Sequence, residues 1–177
     1  VYNTESGANN FAAQFEIAYG EKDGGGAAAF NNNVSAVSPT STIYGQYRTL
    51  VLEDENAQFV FGGVTGSSIY ALSVERARYK QALFPGSFNL VLSSSIASDS
   101  THTLKLTDDS GMVNVPTYYG TTRAYQIISG SNGVAYNSGS GGTGYTIANG
   151  SYGLFLPDIG TVLLNGAALD LNTVEGI

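Results

Sequence analysis

Short β-prone runs recur along the chain between turn signals, and this pattern constrains the fold more than any other feature of the sequence. Apolar residues at alternate positions of such a run lie on one face of a strand. Phe15, Ile17 and Tyr19 follow this pattern, as do Phe59 and Phe61. Many short strands at a spacing of roughly 8–12 residues predict a mainly β fold, either an antiparallel β-sandwich or a barrel-like domain.

Two pairs of runs are predicted to form antiparallel partners. SFNLVLS (87–93) follows the turn signal Pro85–Gly86 and is expected to pair with THTLKLTDDSG (101–111). RAYQIISGSNGVAY (123–136) is divided by Asn132–Gly133, a dipeptide that favours a tight hairpin turn. Two more strands are predicted within residues 145–169.

One segment changes period and predicts a helix. In residues 38–54 the apolar positions recur at helical spacing, and they are Ile43, Tyr44, Tyr47, Leu50 and Val51. This predicts one short helix near residues 41–51, capped by Thr40 or Ser41. The acidic run 53–55 is predicted to lie past the helix, because acid at a helix C-terminus opposes the dipole.

The chain is predicted to form a single β-rich structural domain over residues 1–177. Residues 20–38 and 137–144 are rich in small and turn-forming residues, so we expect long flexible loops there. The only methionine is Met112. We therefore expect either a processed chain or a segment of a longer polypeptide.

Charge is scarce and mostly negative. Charged residues make up 12% of the 177 residues, and the formal net charge is −7. Nucleic-acid binding needs a broad cationic surface, so a nucleic-acid partner is not expected. Cysteine is absent from the sequence, and no apolar run reaches the roughly 20 residues of a membrane span. Such compositions are typical of surface-exposed β-rich proteins and assembly subunits.

The sequence offers few candidates for chemistry, and we expect no catalytic residue, cofactor or metal ion. His102 alternates with Leu104 and Leu106, which favours a structural role. Asp108 and Asp109 can form an Asx-type turn or contribute oxygens to a Ca²⁺ site, but they lack the spacing of an EF-hand loop.

Tyrosine suggests a second kind of partner. Aromatic rings can stack on sugars, and tyrosine is also a common strand residue. The sequence leaves both interpretations open for six tyrosines, which are Tyr118, Tyr119, Tyr125, Tyr136, Tyr145 and Tyr152.

Arg76, Arg78 and Lys80 form the densest group of cations. If residues 69–80 form one strand, these cations share a face with Leu72 and Val74. Such a stripe is either a solvated face that protects an edge strand or an interface that pairs with carboxylates. We predict that Arg76 and Arg78 pair with carboxylates, within the fold or across a subunit boundary.

Four blocks of the sequence carry a resemblance to a known group of proteins. They occur in the order SPTSTIYGQYRTLVLED, IYALSVERARYKQALFPGSFNLVLS, LKLTDDSG and YGLFLPDIGTVLLNGAALDL. From Ser38 onward the chain resembles virion structural proteins of contractile-tailed bacteriophages, closest to phages of marine cyanobacteria. The resemblance implies assembly and no enzymatic activity.

The sequence therefore predicts a non-enzymatic virion component, in the tail or baseplate. It is expected to assemble with copies of itself or with other virion proteins. The alternatives are a carbohydrate-binding domain for receptor recognition or capsid decoration, with a host-surface glycan as partner, or an extracellular filament subunit.

Overall fold

A computed structural model describes residues 13–26, 38–93, 103–136, 144 and 149–170. The strands are β1 (Phe15–Glu21), β2 (Phe59–Phe61), β3 (Val64–Gly66), β4 (Ser68–Val74), β5 (Asn89–Ser93), β6 (Thr103–Asp108), β7 (Thr117–Tyr119), β8 (Thr122–Ser131), β9 (Val134–Ala135), β10 (Gly153–Leu156) and β11 (Thr161–Asn165). The helices are α1 (Pro39–Leu52) and α2 (Gly166–Leu169), and 3₁₀ helices cover Arg76–Arg78 and Pro157–Ile159. Neither α-helix in the described ranges is long and apolar enough to span a membrane.

The strands build one curled antiparallel sheet and one small hairpin. The main sheet has the order β1-β4-β11-β10-β8-β6-β5, and β7 and β9 pair with β8. Strands β2 and β3 form the separate hairpin. The edge strands β1 and β5 line the same groove, so the sheet curls until its two ends face each other. The predicted mainly β class with one short helix is confirmed.

Both faces of the central strands are buried. In β4, Ile69 and Ala71 pack in one core, while Tyr70 and Leu72 face the other. Helix α1 and the β2–β3 hairpin cover the first face. Strands β5 and β6 curl over the second face and pack Leu90 and Leu104 against it.

Helix α1 starts earlier than predicted, because Ser38 rather than Thr40 or Ser41 is its N-cap. The Ser38 side chain accepts from the backbone N–H of Ser41, and the Ser41 hydroxyl accepts from the backbone N–H of Ser38, forming a capping box. Pro39 occupies the first helical position, where its missing N–H costs nothing. Glu53 ends the helix in a left-handed conformation, so the acidic run lies past it as predicted.

The predicted apolar face of the helix is partly wrong. Tyr44 and Val51 are buried and Tyr47 packs on the same core, but Leu50 is 60% exposed. The Tyr44 hydroxyl donates to the Gly66 carbonyl at 2.8 Å, which ties the helix to β3. Helical periodicity therefore placed Tyr44, Tyr47 and Val51 correctly on the core-facing side of the helix but wrongly included Leu50.

The predicted strand pairs are confirmed. Strand β5 pairs with β6 in the register Leu90↔Leu106, and β8 pairs with β9 around Asn132–Gly133. Asn132 has a φ of 52° and Gly133 a φ of 78°, which is the left-handed pair that a tight hairpin turn requires.

The predicted loops are only partly described. Residues 27–37 and 137–143 lie outside the described ranges. The described ends of the 20–38 segment are ordered by hydrogen bonds, since β1 continues to Glu21 and the Thr40 hydroxyl donates to the Gly25 carbonyl at 2.8 Å.

Gly20 sets the distance between helix α1 and the sheet. A Cβ atom at this position would lie 2.8 Å from the backbone nitrogen of Tyr44 and 3.0 Å from its Cα. A Cβ at Gly45, on the same helix, would meet nothing within 4 Å. The two glycines therefore make a matched pair of sites, one tightly packed and one open.

We predict opposite effects for alanine at these sites. Gly20→Ala should lower the free energy of unfolding by about 1–3 kcal/mol, because helix backbone must move away from the sheet. Gly45→Ala should raise it by about 0.5–1 kcal/mol through helix propensity alone. Urea denaturation followed by circular dichroism measures both. Equal effects at the two sites would contradict the close approach at Gly20.

Candidate functional site

Residues 69–80 do not form one strand, so that prediction is wrong beyond Val74. Strand β4 ends where its partners end, since Val74 pairs with Phe15, the first residue of β1. The backbone N–H of Glu75 donates to the Gln14 carbonyl, and that of Arg78 then donates back to the Glu75 carbonyl. Arg76 and Arg78 therefore lie in a 3₁₀ turn and not on the face of Leu72.

Arg76, Arg78 and Lys80, here called the cationic turn, are all exposed. Their described partners are backbone carbonyls and an aromatic ring. Arg76 Nη1 donates to the Tyr79 carbonyl at 2.6 Å, and its guanidinium carbon lies 4.6 Å from the centre of the Tyr79 ring. Arg78 Nε donates to the Ala13 carbonyl at 3.1 Å.

The predicted carboxylate partners of Arg76 and Arg78 are not found inside the described fold. The ion pairs in the described ranges join Lys22 to Asp23 and Arg123 to Asp158. Pairing across a subunit boundary stays a prediction.

Arg123 brings a fourth cation to the same end of the sheet. Its Nε donates to Asp158 Oδ1 at 3.0 Å, and its backbone N–H donates to Asp158 Oδ2 at 2.9 Å. The hydrogen bond from Arg123 lowers the pKa of Asp158, and the same contact raises the pKa of Arg123. Sequence reasoning missed this pair, because nothing local links residues 35 positions apart.

The ordered segment 79–88 connects the cationic turn to β5. The backbone N–H of Leu83 donates to the Pro157 carbonyl at 3.0 Å, and Leu83 packs against the core that contains Leu104 and Phe155. Lys80, Phe84 and Arg123 border a surface pocket of about 460 Å³. Phe84 is 77% exposed, more than any other large hydrophobic residue in the described ranges.

Asp108 anchors the turn at Pro85–Gly86. It is fully buried, and its two carboxylate oxygens accept from the Gly86 N–H at 2.9 and 3.0 Å. Oδ1 also accepts from the Ser110 N–H at 3.1 Å, which is the Asx-type turn that the sequence favoured. Among the described residues, no group of three or more His, Cys, Asp or Glu side chains could hold a metal ion.

Asp109 carries the one strongly shifted carboxyl pKa in the described ranges. Burial raises its pKa to about 6, and the neighbouring Asp108 adds to the shift. The Gln126 N–H donates to Oδ1 at 3.0 Å and opposes the shift. The carboxyl of Asp109 therefore changes charge near pH 6.

An apolar groove lies between the two edge strands. It holds about 310 Å³ and is lined by eight apolar or aromatic side chains and by Asp170. Ile17 contributes from β1 and Leu92 from β5. Ile17 is 58% exposed, so the groove opens to solvent along β1.

The six tyrosines do not share one surface. Tyr125 and Tyr152 are buried, while Tyr118 and Tyr136 are exposed. Tyr145 and the predicted structural His102 lie outside the described residues. The structure therefore removes two tyrosines from the sugar-stacking set.

Comparison of the chain with protein-family models, curated proteins and solved structures gave no significant match. The resemblance to phage structural proteins therefore stays a prediction.

The shifted pKa of Asp109 predicts how stability depends on pH. The folded chain binds a proton near pH 6 and the unfolded chain near pH 3.8, so this group makes folding less favourable as the pH rises across that window. Asp109→Asn should remove this dependence, and it should stabilise the protein at pH 7 relative to wild type by about 1 kcal/mol after solvent screening.

Thermal unfolding at pH 4.5 and pH 7.5 measures this effect. Glu55→Gln is the matched control, because Glu55 is exposed. An Asp109→Asn variant with the pH dependence of wild type would contradict the assignment.

Proposed function

We propose that the chain is a non-enzymatic structural subunit of a bacteriophage virion, in the tail or baseplate, and that it works by docking on copies of itself or on other virion proteins. The observation that carries the proposal is the cationic turn. In a chain of net charge −7, exposed guanidinium groups are held by backbone carbonyls and not by carboxylates of the described fold. These groups are available to pair with carboxylates of a neighbouring subunit.

The geometry of the turn suits such pairing. Arginine makes bidentate hydrogen bonds with carboxylates and is enriched at protein interfaces. Arg76 is held over the Tyr79 ring, so less side-chain entropy is lost when it meets a partner. Because the chain is acidic overall, the cationic turn of one copy attracts the acidic surface of another copy. This attraction favours one relative orientation as the two copies approach.

Two carboxylates, Asp108 and Asp158, already have structural roles, which also favours assembly over chemistry. Asp108 accepts from the backbone N–H groups of Gly86 and Ser110, and Asp158 accepts from Arg123. The sequence blocks that resemble phage structural proteins include the cationic turn and the segment 79–88.

Replacing the two arginines tests the role of the cationic turn. Arg76→Ala combined with Arg78→Ala should weaken association with the partner subunit and reduce its dependence on salt, because screened charge pairs are lost. The free energy of unfolding should change by less than about 1 kcal/mol, since the side chains are exposed. Sedimentation velocity at about 50 and 500 mM NaCl measures the association.

Lys22→Ala combined with Lys105→Ala is the control, because it removes the same charge elsewhere on the surface. Equal weakening by both double variants would show that net charge and not the cationic turn matters.

Immunogold labelling tests the place of the chain in the particle. An antibody against the chain should label the tail or baseplate of virions produced from the genome that encodes it. Particles that carry no label would refute the virion role.

A further inference from the structure

Phe84 is an exposed aromatic residue whose backbone is held by hydrogen bonds. The N–H and the hydroxyl of Ser87 both donate to the Phe84 carbonyl, at 3.2 and 2.6 Å, and the neighbouring Leu83 is bonded to Pro157. The backbone therefore presents the ring to solvent without a loop that needs ordering first. Aromatic side chains are enriched at protein–protein interfaces, and a preformed backbone lowers the entropic cost of binding.

The apolar groove between β1 and β5 has room for such a ring. An apolar protein cavity of about 150 Å³ holds a benzene molecule. The groove offers about 310 Å³ and is lined mainly by leucine, isoleucine and aromatic side chains. Filling it would also remove the exposed part of Ile17 from water, which favours binding.

The charges beside the two features are opposite. Lys80 and Arg123 border the pocket next to Phe84, and Asp170 is the one charged residue that lines the groove. Lys80 is exposed and its ammonium group forms no ion pair within the described ranges. The ring with its neighbouring cation complements the groove with its carboxylate.

We propose that Phe84 of one copy of the chain inserts into the β1–β5 groove of a second copy, with Lys80 of the first copy near Asp170 of the second. This inference rests on the proposed function and names its partner as the same chain. Because the phenyl ring and the groove lie on different parts of the surface, repeated contacts build a closed cyclic oligomer or an open filament. The exception is a twofold-symmetric dimer in which two copies exchange their phenyl rings.

Two single variants test the two sides of the contact. Phe84→Ser removes the inserted ring, and Ile17→Glu places a charge in the groove. Each should weaken self-association roughly 30-fold or more, the effect expected for a residue at the centre of an interface. Analytical ultracentrifugation of the full chain measures the dissociation constant, and circular dichroism confirms that each variant is folded.

Each variant has a control of matched exposure. Val115 is 73% exposed against 77% for Phe84, and Val91 is 56% exposed against 58% for Ile17. Val91 lies on β5 between two groove residues but points to the opposite face. Val115→Ser and Val91→Glu should leave the dissociation constant within about threefold of wild type.

Mixing gives the sharpest outcome. The Phe84→Ser variant keeps an intact groove, and the Ile17→Glu variant keeps an intact phenyl ring. An equimolar mixture of the two should therefore form heterodimers, whereas each variant by itself should stay monomeric.

A charge exchange is the second readout. Lys80→Glu should weaken association, and combining it with Asp170→Lys in the same chain should restore it.

Four results would overturn the proposal. They are a mixture that stays monomeric, controls that weaken association as much as the test variants, loss of association in Ile17→Glu but not in Phe84→Ser, and a wild-type chain that is monomeric at all concentrations. The third result would mean that another segment fills the groove. None of them bears on the immunogold test, so failure here and failure of the virion role are distinguishable.

Discussion

Burial of the central strands on both faces is the constraint on which the rest of the structure depends. The strands GLFL (β10) and TVLLN (β11) have no solvent-facing side, and each of their residues is buried. A sheet of this kind needs a cover on each face. Helix α1 with the β2–β3 hairpin provides one cover, and the sheet provides the other by curling β5 and β6 over its own second face.

The curl has a consequence at the edges. Among the described strands, β1 pairs only with β4 and β5 only with β6, so the main sheet has two edge strands, and both line one groove. A closed barrel would have removed both edges. Here the incomplete closure leaves apolar side chains such as Ile17 at a surface, and this is the physical origin of the docking contact proposed above.

Several elements could be predicted from local patterns because local chemistry decides them. Asn132–Gly133 specifies a hairpin wherever it falls between two strand-like runs, and the structure has that hairpin. Helical periodicity identified α1, although its N-cap was placed two or three residues too late, since Ser38, Thr40 and Ser41 are all good capping residues. The strand predicted through Arg76 and Arg78 was wrong because a strand ends where its partners end, and the partners β1 and β11 are distant in sequence.

The sequence by itself determined the fold class, the positions of most strands, the location of the helix and the local cluster of cations. These depend on period, turn dipeptides and composition, which act over a few residues. Only the tertiary structure decided which carboxylates have partners within the fold. Asp158 accepts from Arg123 and Asp108 accepts from Gly86, and both contacts depend on strand order and register. It also decided that Phe84 is exposed, because contacts of residues 83–87 with one another and with Pro157 hold that segment, and that β1 and β5 face each other, because the sheet curls.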